Sequence, residues 1–173
     1  IANEQILYAI KNNTKIAFLF LDMDGLKFVN DSYGHPVGDL LIQQAGVRLN
    51  GIINHESTIA RIGGDEFIVL IHVLQDSARP AALAKKILAD LTLPTQFKGK
   101  QCRFGASIGI ASTPVTSVGD LLTNSDLALY KAKGLGRGRI AIFDQRDFEK
   151  AHYRKTLADD IIRGLEEAEF VPY

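Results

Sequence analysis

Residues 16–25 read Ile-Ala-Phe-Leu-Phe-Leu-Asp-Met-Asp-Gly, an apolar run that leads into two aspartates. The apolar part has six residues, 16–21, whereas a helix that spans a bilayer needs about 20. A short apolar run bounded by polar residues is typical of a strand buried in the core of a sheet. We therefore predict a buried strand that leads into an acidic loop with Asp22 and Asp24.

A second informative stretch lies at residues 61–67, Arg-Ile-Gly-Gly-Asp-Glu-Phe. Its residues 63–66 separate two apolar runs, residues 58–62 and 67–73, and paired glycines between such runs indicate a β-hairpin. If this hairpin lies beside the first strand, Asp65 and Glu66 join Asp22 and Asp24 at one edge of the sheet.

The rest of the chain alternates between helical and strand patterns. Helices are predicted for residues 27–33, 36–51, 78–91 and 121–133, the last preceded by a capping box at 117–120. Further strands are predicted for residues 104–111, for a shorter partner of that strand at 95–98, and for 139–143. This order favours an α/β (α+β) sandwich with a mixed, mainly antiparallel central sheet flanked by helices.

Composition excludes several classes of protein. The chain has 173 residues, 46% of them hydrophobic, which is enough for one domain with a sizeable core. Cys102 is the only cysteine, so the sequence holds neither a disulfide framework nor a cysteine-rich zinc site. Because 20 basic residues balance 20 acidic ones, we expect no nucleic-acid partner held by bulk electrostatics.

The pattern changes from about residue 145 onwards. Leu157, Ile161, Ile162 and Leu165 form an apolar stripe on a predicted helix whose other faces carry charges of both signs. The sequence starts without Met and stops at Tyr173, and we interpret it as a piece of a longer protein. The N-terminus lacks a secretory signal pattern, so we expect a cytoplasmic domain, with any membrane attachment in segments beyond this sequence.

The four carboxylates point to divalent cations. Negative charges at such short distances repel one another by several kcal/mol. A purely structural role for all four carboxylates is therefore unfavourable without cations. Carboxylates and backbone carbonyls are hard ligands suited to Mg²⁺ or Mn²⁺. The alternative is an ordinary acidic turn beside an acidic strand end, and the spacing alone does not decide between the two.

Basic residues near the end of the last predicted helix could hold phosphates. Lys133 and Arg137 lie four residues apart around a glycine-rich helix end, with Lys131 and Arg139 nearby. The alternative is that these cations only complement the helix dipole. Gly63 and Gly64 would let a backbone approach a ligand closely, although glycines are also ordinary turn residues.

Six motifs occur in a fixed order: residues 22–35, Gly38-Asp39, residues 61–67, residues 107–111, residues 128–133 and Gly136-Arg137. In sequence and spacing they resemble the GGDEF family of diguanylate cyclases. The resemblance covers about residues 4–144 and implies a sandwich related to the catalytic domains of class III nucleotidyl cyclases. It also implies the condensation of two GTP into cyclic di-GMP, a bacterial second messenger, with release of two pyrophosphates.

The resemblance implies catalytic and metal-binding roles at the matching positions. Asp22, the carbonyl of Met23 and Asp65 would ligate two divalent cations per site, Mg²⁺ or Mn²⁺, and Glu66 would complete the acidic cluster. Asp65, Glu66 and Asp22 would thus serve a two-metal phosphoryl transfer, in which the cations activate the attacking 3′-hydroxyl and neutralise the leaving pyrophosphate. The general base stays open between Asp65 and a metal-bound water.

The resemblance also implies how GTP is bound. Asn30 and Asp39 would hydrogen-bond the guanine edge. The β- and γ-phosphates would be held by Gly25, Leu26, Lys27, Phe28, Lys133 and Arg137. Because each domain binds one GTP and each GTP attacks the other, the implied active species is a homodimer.

The sequence departs from the family pattern in several places. Many members carry an inhibitory product site, Arg-x-x-Asp, where residues 54–57 here read Asn-His-Glu-Ser, so we do not expect feedback inhibition through that site. Leu26 stands where the family commonly has Phe, and Gly138 where Asn often follows the arginine. The opening motif Asp-x-Leu-Thr-x-Leu-x-Asn-Arg is absent.

Residues 157–173 resemble the start of an EAL domain, the phosphodiesterase that degrades cyclic di-GMP. We therefore predict a GGDEF domain at 1–144, and a linker helix with the start of a truncated EAL-like domain at 145–173. The downstream EAL domain would be a partner in the same chain. An alternative function is a catalytically weak GTP-binding domain that regulates this EAL domain.

Two other interpretations of the acidic loop fit less well. A haloacid-dehalogenase-type phosphatase would use Asp22 as a covalent nucleophile, but Leu26 replaces the Thr or Val expected there. An EF-hand loop fails because Gly25 stands at loop position 4 rather than 6, and Tyr33 at position 12 in place of Glu.

Overall fold

The computed structural model describes residues 15–53, 57–73, 78–97, 100–113, 117–146 and 149. The chain divides into two compact units, Ile1–Ile142 and Phe143–Tyr173. The predicted linker helix and EAL-like start lie almost entirely outside the described residues, so this part of the domain assignment stays a prediction. No helix in the described ranges is long and apolar enough to cross a membrane.

Seven strands and four helices are described. In chain order they are β1 (Lys15–Asp24), α1 (Leu26–Tyr33), α2 (His35–Ile52), β2 (Ser57–Gly63), β3 (Glu66–Val73), α3 (Arg79–Leu91), β4 (Thr95–Phe97), β5 (Lys100–Cys102), β6 (Gly105–Ser112), α4 (Val118–Gly134) and β7 (Ile140–Ile142). Five strands form one sheet in the order β2-β3-β1-β6-β7. Only β6 and β7 pair in parallel. The predicted mixed, mainly antiparallel sheet flanked by helices is confirmed.

Strand β1 is the centre of the sheet. It pairs with β3 on one side and β6 on the other, and every residue from Ile16 to Met23 is buried. A strand covered on both faces needs apolar residues at successive positions rather than at alternate ones. This explains why residues 16–21 form an unbroken apolar run, as predicted.

Helices cover the two faces of the sheet differently. Helices α2 and α3 share a core cluster with β1 and β6, to which Leu21, Leu49, Ile87 and Ile108 belong. Gly109 follows Ile108 in β6 and therefore points to the opposite face, where it meets α4. A Cβ on Gly109 would overlap the backbone of α4 at Ser125 and Leu129. Gly109 thus permits a close approach that no other residue would allow.

Two local predictions can be compared directly with the structure. The start of α4 agrees with the predicted capping box, because Ser117 Oγ accepts a hydrogen bond from the amide of Asp120 at 3.1 Å. The predicted pairing of residues 95–98 with the strand at 104–111 is wrong. Strand β4 pairs instead with β5, because β1 and β7 occupy both edges of β6.

Candidate active site

The end of β1 and the turn of the β2–β3 hairpin lie side by side. Asp22 pairs in register with Glu66, and the amide of Met23 donates to the carbonyl of Asp65 over 3.2 Å. Arg61 holds the turn, since its Nε and Nη2 donate to the carbonyl of Gly64 at 3.1 and 2.8 Å. The two acidic motifs therefore meet at one edge of the sheet, as their order in the sequence predicted.

Asp22 is a buried carboxylate next to other negative charges. It is 8% exposed, and Lys133 Nζ lies 2.6 Å from its Oδ2. Burial raises the pKa of Asp22 above its ordinary value of 3.8, and the charges of Asp65 and Asp24 raise it further, whereas the hydrogen bond and charge of Lys133 lower it. Burial therefore disfavours the charged form of Asp22, and a bound cation would favour it.

Asp24 has hydrogen-bond partners outside the acidic turn. Its carboxylate accepts hydrogen bonds from Ser107 Oγ, at 2.8 and 3.0 Å, and from the amide of Gly138, at 3.0 Å. All four carboxylates therefore lie at the same edge of the sheet, as expected, but that of Asp24 is already engaged by Ser107 and Gly138. Among the residues that the structure describes, no three acidic, histidine or cysteine side chains are arranged to hold a metal ion.

The donor set that remains still fits Mg²⁺. This ion commonly takes one or two protein carboxylates and completes its shell with substrate phosphates and water. Asp22 and the neighbouring turn residues Asp65 and Glu66 offer hard oxygen ligands, and a cation there would offset the burial of the Asp22 carboxylate. The metal-binding roles of Asp22, Met23, Asp65 and Glu66 stay predictions.

The predicted phosphate ligands lie on two segments. Lys133 lies in the last turn of α4 and pairs with Asp22 at the end of β1. Arg137 lies in the loop that follows α4, and its Nε is 3.9 Å from Asp24 Oδ1. Lys133 therefore has a partner other than the helix dipole. At the start of α1, Lys27 and Phe28 are exposed, whereas Leu26 is buried, so only its backbone could serve a ligand. Gly25 precedes them with φ +83°.

The predicted guanine ligands lie where α1 is followed by α2. Asn30 packs against Gly38, where a Cβ would overlap Asn30 Oδ1. This oxygen is buried and has no hydrogen-bond partner in the described part of the chain, a condition that costs about 1–3 kcal/mol. Asp39, the next residue after Gly38, is exposed. Because the surface of this oxygen is buried, a ligand with N–H donors would reach it only if the Asn30 side chain moved.

Sequence reasoning missed Ser107 as a partner of Asp24. Ser107 is fully buried within the apolar strand β6, and a buried hydroxyl requires a hydrogen-bond partner. That requirement was the available signal. Its partner could not be named, because Asp24 is 83 residues away in the sequence.

Comparison with protein families gives one match over most of the chain. A family model described as "Diguanylate cyclase, GGDEF domain" matches residues 2–139. Among curated proteins, MucR of Pseudomonas aeruginosa, a bifunctional diguanylate cyclase/cyclic di-GMP phosphodiesterase, is 37% identical over 170 residues. The match covers 97% of this chain and 25% of MucR, so the chain spans about a quarter of that relative.

Solved structures with similar folds were also found. The isolated GGDEF domain of TpbB from Pseudomonas aeruginosa matches with a TM-score of 0.83 and 30% identity, covering 87% of this chain and 89% of that one. An EAL/GGDEF domain protein from M. capsulatus matches with a TM-score of 0.71 and 36% identity, covering 80% of this chain and 94% of that one. The resemblance stated from the sequence motifs is confirmed at the level of family and fold.

Proposed function

This chain belongs to the GGDEF domain family, and we propose that it is a diguanylate cyclase domain that condenses two GTP into cyclic di-GMP and two pyrophosphates. One observation carries the proposal. At a single edge of the sheet, the buried carboxylate of Asp22 lies beside the acidic hairpin turn and within 2.6 Å of Lys133. Phosphoryl transfer from a nucleotide requires carboxylates that bind divalent metal ions and, next to them, a positively charged side chain that binds phosphates.

The base of the nucleotide would be recognised at Asn30 and Asp39. The Oδ1 of Asn30 has no partner among the described residues; because its surface is buried, the side chain would have to move before this oxygen could accept a hydrogen bond from the N–H groups of a guanine edge. Asp39 is exposed beside it and offers a second acceptor. Adenine lacks the N1–H and 2-amino donors of guanine, so this pair supports GTP as the substrate rather than ATP.

The triphosphate would lie between the start of α1 and the end of α4. Lys27 with the backbone of residues 25–28, together with Lys133 and Arg137, would neutralise the β- and γ-phosphates and orient the α-phosphate. Two Mg²⁺ or Mn²⁺ ions held by Asp22, Asp65, Glu66 and the Met23 carbonyl would supply activation of the 3′-hydroxyl and charge neutralisation. Lys133 would exchange its contact with Asp22 for the phosphates when the cations bind.

The reaction requires two copies of the domain. The 3′-oxygen of each GTP forms a bond to the α-phosphorus of the other, and the bond from that phosphorus to the pyrophosphate oxygen breaks. With one GTP per domain, the two sites must face each other in a homodimer.

Product formation tests the proposal. The chain at high concentration with GTP and Mg²⁺ should yield cyclic di-GMP, measured by mass spectrometry, and Asp65→Asn should yield none. Asp126→Asn, which removes the same charge from an exposed position on α4, should match the wild-type chain. No product from the wild-type chain, even when dimerisation is enforced, would reject the cyclase.

A second candidate is a GTP-binding regulatory domain for a downstream EAL phosphodiesterase. It is supported by the bifunctional name of MucR, by the EAL/GGDEF neighbour, and by the EAL-like pattern of residues 157–173. In that case the chain would bind GTP with Asn30-dependent selectivity and yet form no cyclic di-GMP. Calorimetric GTP binding beside the product assay distinguishes the two functions.

A further inference from the structure

The carboxylate of Asp24 links three segments that are far apart in the chain. Ser107 Oγ in β6 lies 2.8 Å from Oδ2 and 3.0 Å from Oδ1, and the amide of Gly138 donates to Oδ2 at 3.0 Å. Arg137 Nε lies 3.9 Å from Oδ1. Both oxygens of Asp24 are therefore engaged, unlike those of a carboxylate that awaits a cation.

The loop held by Asp24 has an unusual backbone. Arg137 adopts φ +59°, between Gly136 at +111° and Gly138 at +60°. A left-handed conformation costs a non-glycine residue about 1–2 kcal/mol, so the surrounding contacts must enforce it. Two hydrogen bonds hold the backbone here. The amide of Arg137 donates to the carbonyl of Ala132 at 3.2 Å, and the amide of Gly138 donates to the Asp24 carboxylate.

The anchor at Asp24 is shielded from water. The Asp24 side chain is 10% exposed and Ser107 is fully buried, whereas the Arg137 side chain is 65% exposed. Hydrogen bonds to an ionised carboxylate are roughly twice as strong as neutral ones. The backbone of the loop is thus held by buried hydrogen bonds, whereas the guanidinium is largely exposed and only loosely paired with Asp24.

We propose that Asp24 is a positioning residue, which fixes the 136–138 turn through Ser107 and Gly138 so that Arg137 points towards the nucleotide phosphates, and that it is not a metal ligand. The inference rests on the proposed function, because Arg137 is expected to contact GTP. It extends that function by separating two neighbouring aspartates: Asp22 serves the cations, and Asp24 serves the phosphate-binding arginine.

Binding measurements on the full chain test the inference without turnover. With Mg²⁺ present, Asp24→Asn should weaken binding of a non-hydrolysable GTP analogue about tenfold, as a misplaced charged contact would. It should leave binding of GMP, which lacks the β- and γ-phosphates, unchanged. Arg137→Ala should weaken analogue binding similarly, and the double variant should be no weaker than Arg137→Ala alone.

Two further readouts separate positioning from metal binding and from folding. Mn²⁺ affinity without nucleotide, followed by electron paramagnetic resonance, should be unchanged in Asp24→Asn and lost in Asp22→Asn. Ser107→Ala keeps the carboxylate but removes one donor, and should weaken analogue binding in the same direction as Asp24→Asn. If thermal unfolding shows that Asp24→Asn is not folded, the Ser107→Ala variant still tests the inference.

The outcomes are distinguishable. Wild-type binding of the analogue with no effect of Asp24→Asn or Ser107→Ala would overturn this inference and leave the proposed function intact. Additive losses in the double variant, equal losses for GMP and the analogue, or a loss of Mn²⁺ affinity in Asp24→Asn would also overturn it. A wild-type chain that binds neither nucleotide would overturn the proposed function and this inference together.

Discussion

Asp22, at the candidate site, lowers the stability of the fold because its carboxylate is buried. The carboxylate of Asp22 loses hydration on burial, and Lys133 at 2.6 Å offsets only part of this loss, since the pKa of Asp22 remains raised. The negative charges of Asp65 and Asp24 add to the cost. A residue kept buried and charged in this way is typical of a functional site rather than of a stabilising contact.

The raised pKa of Asp22 predicts how stability depends on pH. For a carboxyl whose folded pKa exceeds its unfolded value, near 3.8 here, the stabilising contribution is complete below pH 3.8 and is lost as pH rises through the folded pKa. We therefore compare the free energy of unfolding of Asp22→Asn with that of the wild type in metal-free buffer. The difference, Asp22→Asn minus wild type, should increase as pH rises from below 3.8 to neutral.

Chemical denaturation over a pH series measures this difference. Asp126→Asn, an exposed aspartate on α4, should differ from the wild type by an amount that hardly varies with pH. A difference for Asp22→Asn that stayed constant across the series would contradict the pKa shift.

Gly38 is predicted to determine selectivity for the base. Gly38→Ala introduces a Cβ that overlaps Asn30 Oδ1 and so displaces the amide. GTP affinity should fall about tenfold, and the preference for GTP over ATP should shrink, because a misplaced acceptor no longer matches guanine. Calorimetry with both nucleotides measures the change.

Gly46→Ala is the matched control in the same helix. Its Cβ would have no atom within 4 Å, so it should stabilise α2 by about 0.5–1 kcal/mol through helix propensity alone and leave GTP affinity unchanged. Equal nucleotide selectivity in Gly38→Ala and wild type would show that Asn30 does not contribute to guanine recognition.

At the scale of elements, the end of α3 depends on one arginine from α2. The guanidinium of Arg48 donates five hydrogen bonds, at 2.7–3.2 Å, to the carbonyls of Asp90, Leu91, Leu93 and Pro94 and to Thr95 Oγ1. The Leu91 carbonyl lies at the C-terminus of α3, where a helix leaves carbonyls without intrahelical partners, and those of Leu93 and Pro94 lie in the turn that follows; the Asp90 carbonyl also accepts from the amide of Leu93 at 3.1 Å.

Arg48→Lys should destabilise the domain by about 1.5–3 kcal/mol, because an ammonium group keeps the charge but not the planar fork of donors. Denaturant unfolding measures the loss. Arg103→Lys, at an exposed position, should fall within about 0.5 kcal/mol of the wild type. Equal stabilities for the two variants would show that the hydrogen bonds of Arg48 contribute little.

The contact between β6 and α4 is predicted to tolerate no side chain at Gly109. Gly109→Ala would push its Cβ into the α4 backbone at Ser125 and Leu129, and relief requires the helix to move away from the sheet. We expect a loss of about 3 kcal/mol in the free energy of unfolding. Gly51→Ala, in open space at the end of α2, should change stability by less than about 1 kcal/mol. Similar effects of the two substitutions would contradict the close approach.

Element prediction succeeded where the signal was local and failed where it was not. The hairpin at 58–73 and the cap at Ser117 follow from turn and capping residues that are neighbours in sequence, and both are present. The pairing of β4 was predicted wrongly because it depends on which edges of β6 are already occupied. Sequence periodicity carries no information on that occupancy.

At the scale of the whole molecule, the proposed reaction requires two domains to meet. Specific cyclase activity should therefore rise with protein concentration, and at low concentration the rate should grow with the square of concentration, because each active species contains two chains. Initial rates over a hundredfold range at saturating GTP, with sedimentation at each concentration, measure this. Constant specific activity from a chain that sediments as a monomer would contradict the half-site arrangement.

The sequence by itself determined the order of the elements except β5, the fold class and the family, because apolar periodicity, turn glycines and short motifs are written in neighbouring residues. It also identified the acidic and basic residues that meet at one edge of the sheet. Only the tertiary structure decided what each one touches: Lys133 pairs with Asp22, Asn30 lies against Gly38, and Asp24 turns to Ser107 and Gly138. The physical reason is distance along the chain, since Asp24 and Gly138 are 114 residues apart and packing alone brings them together.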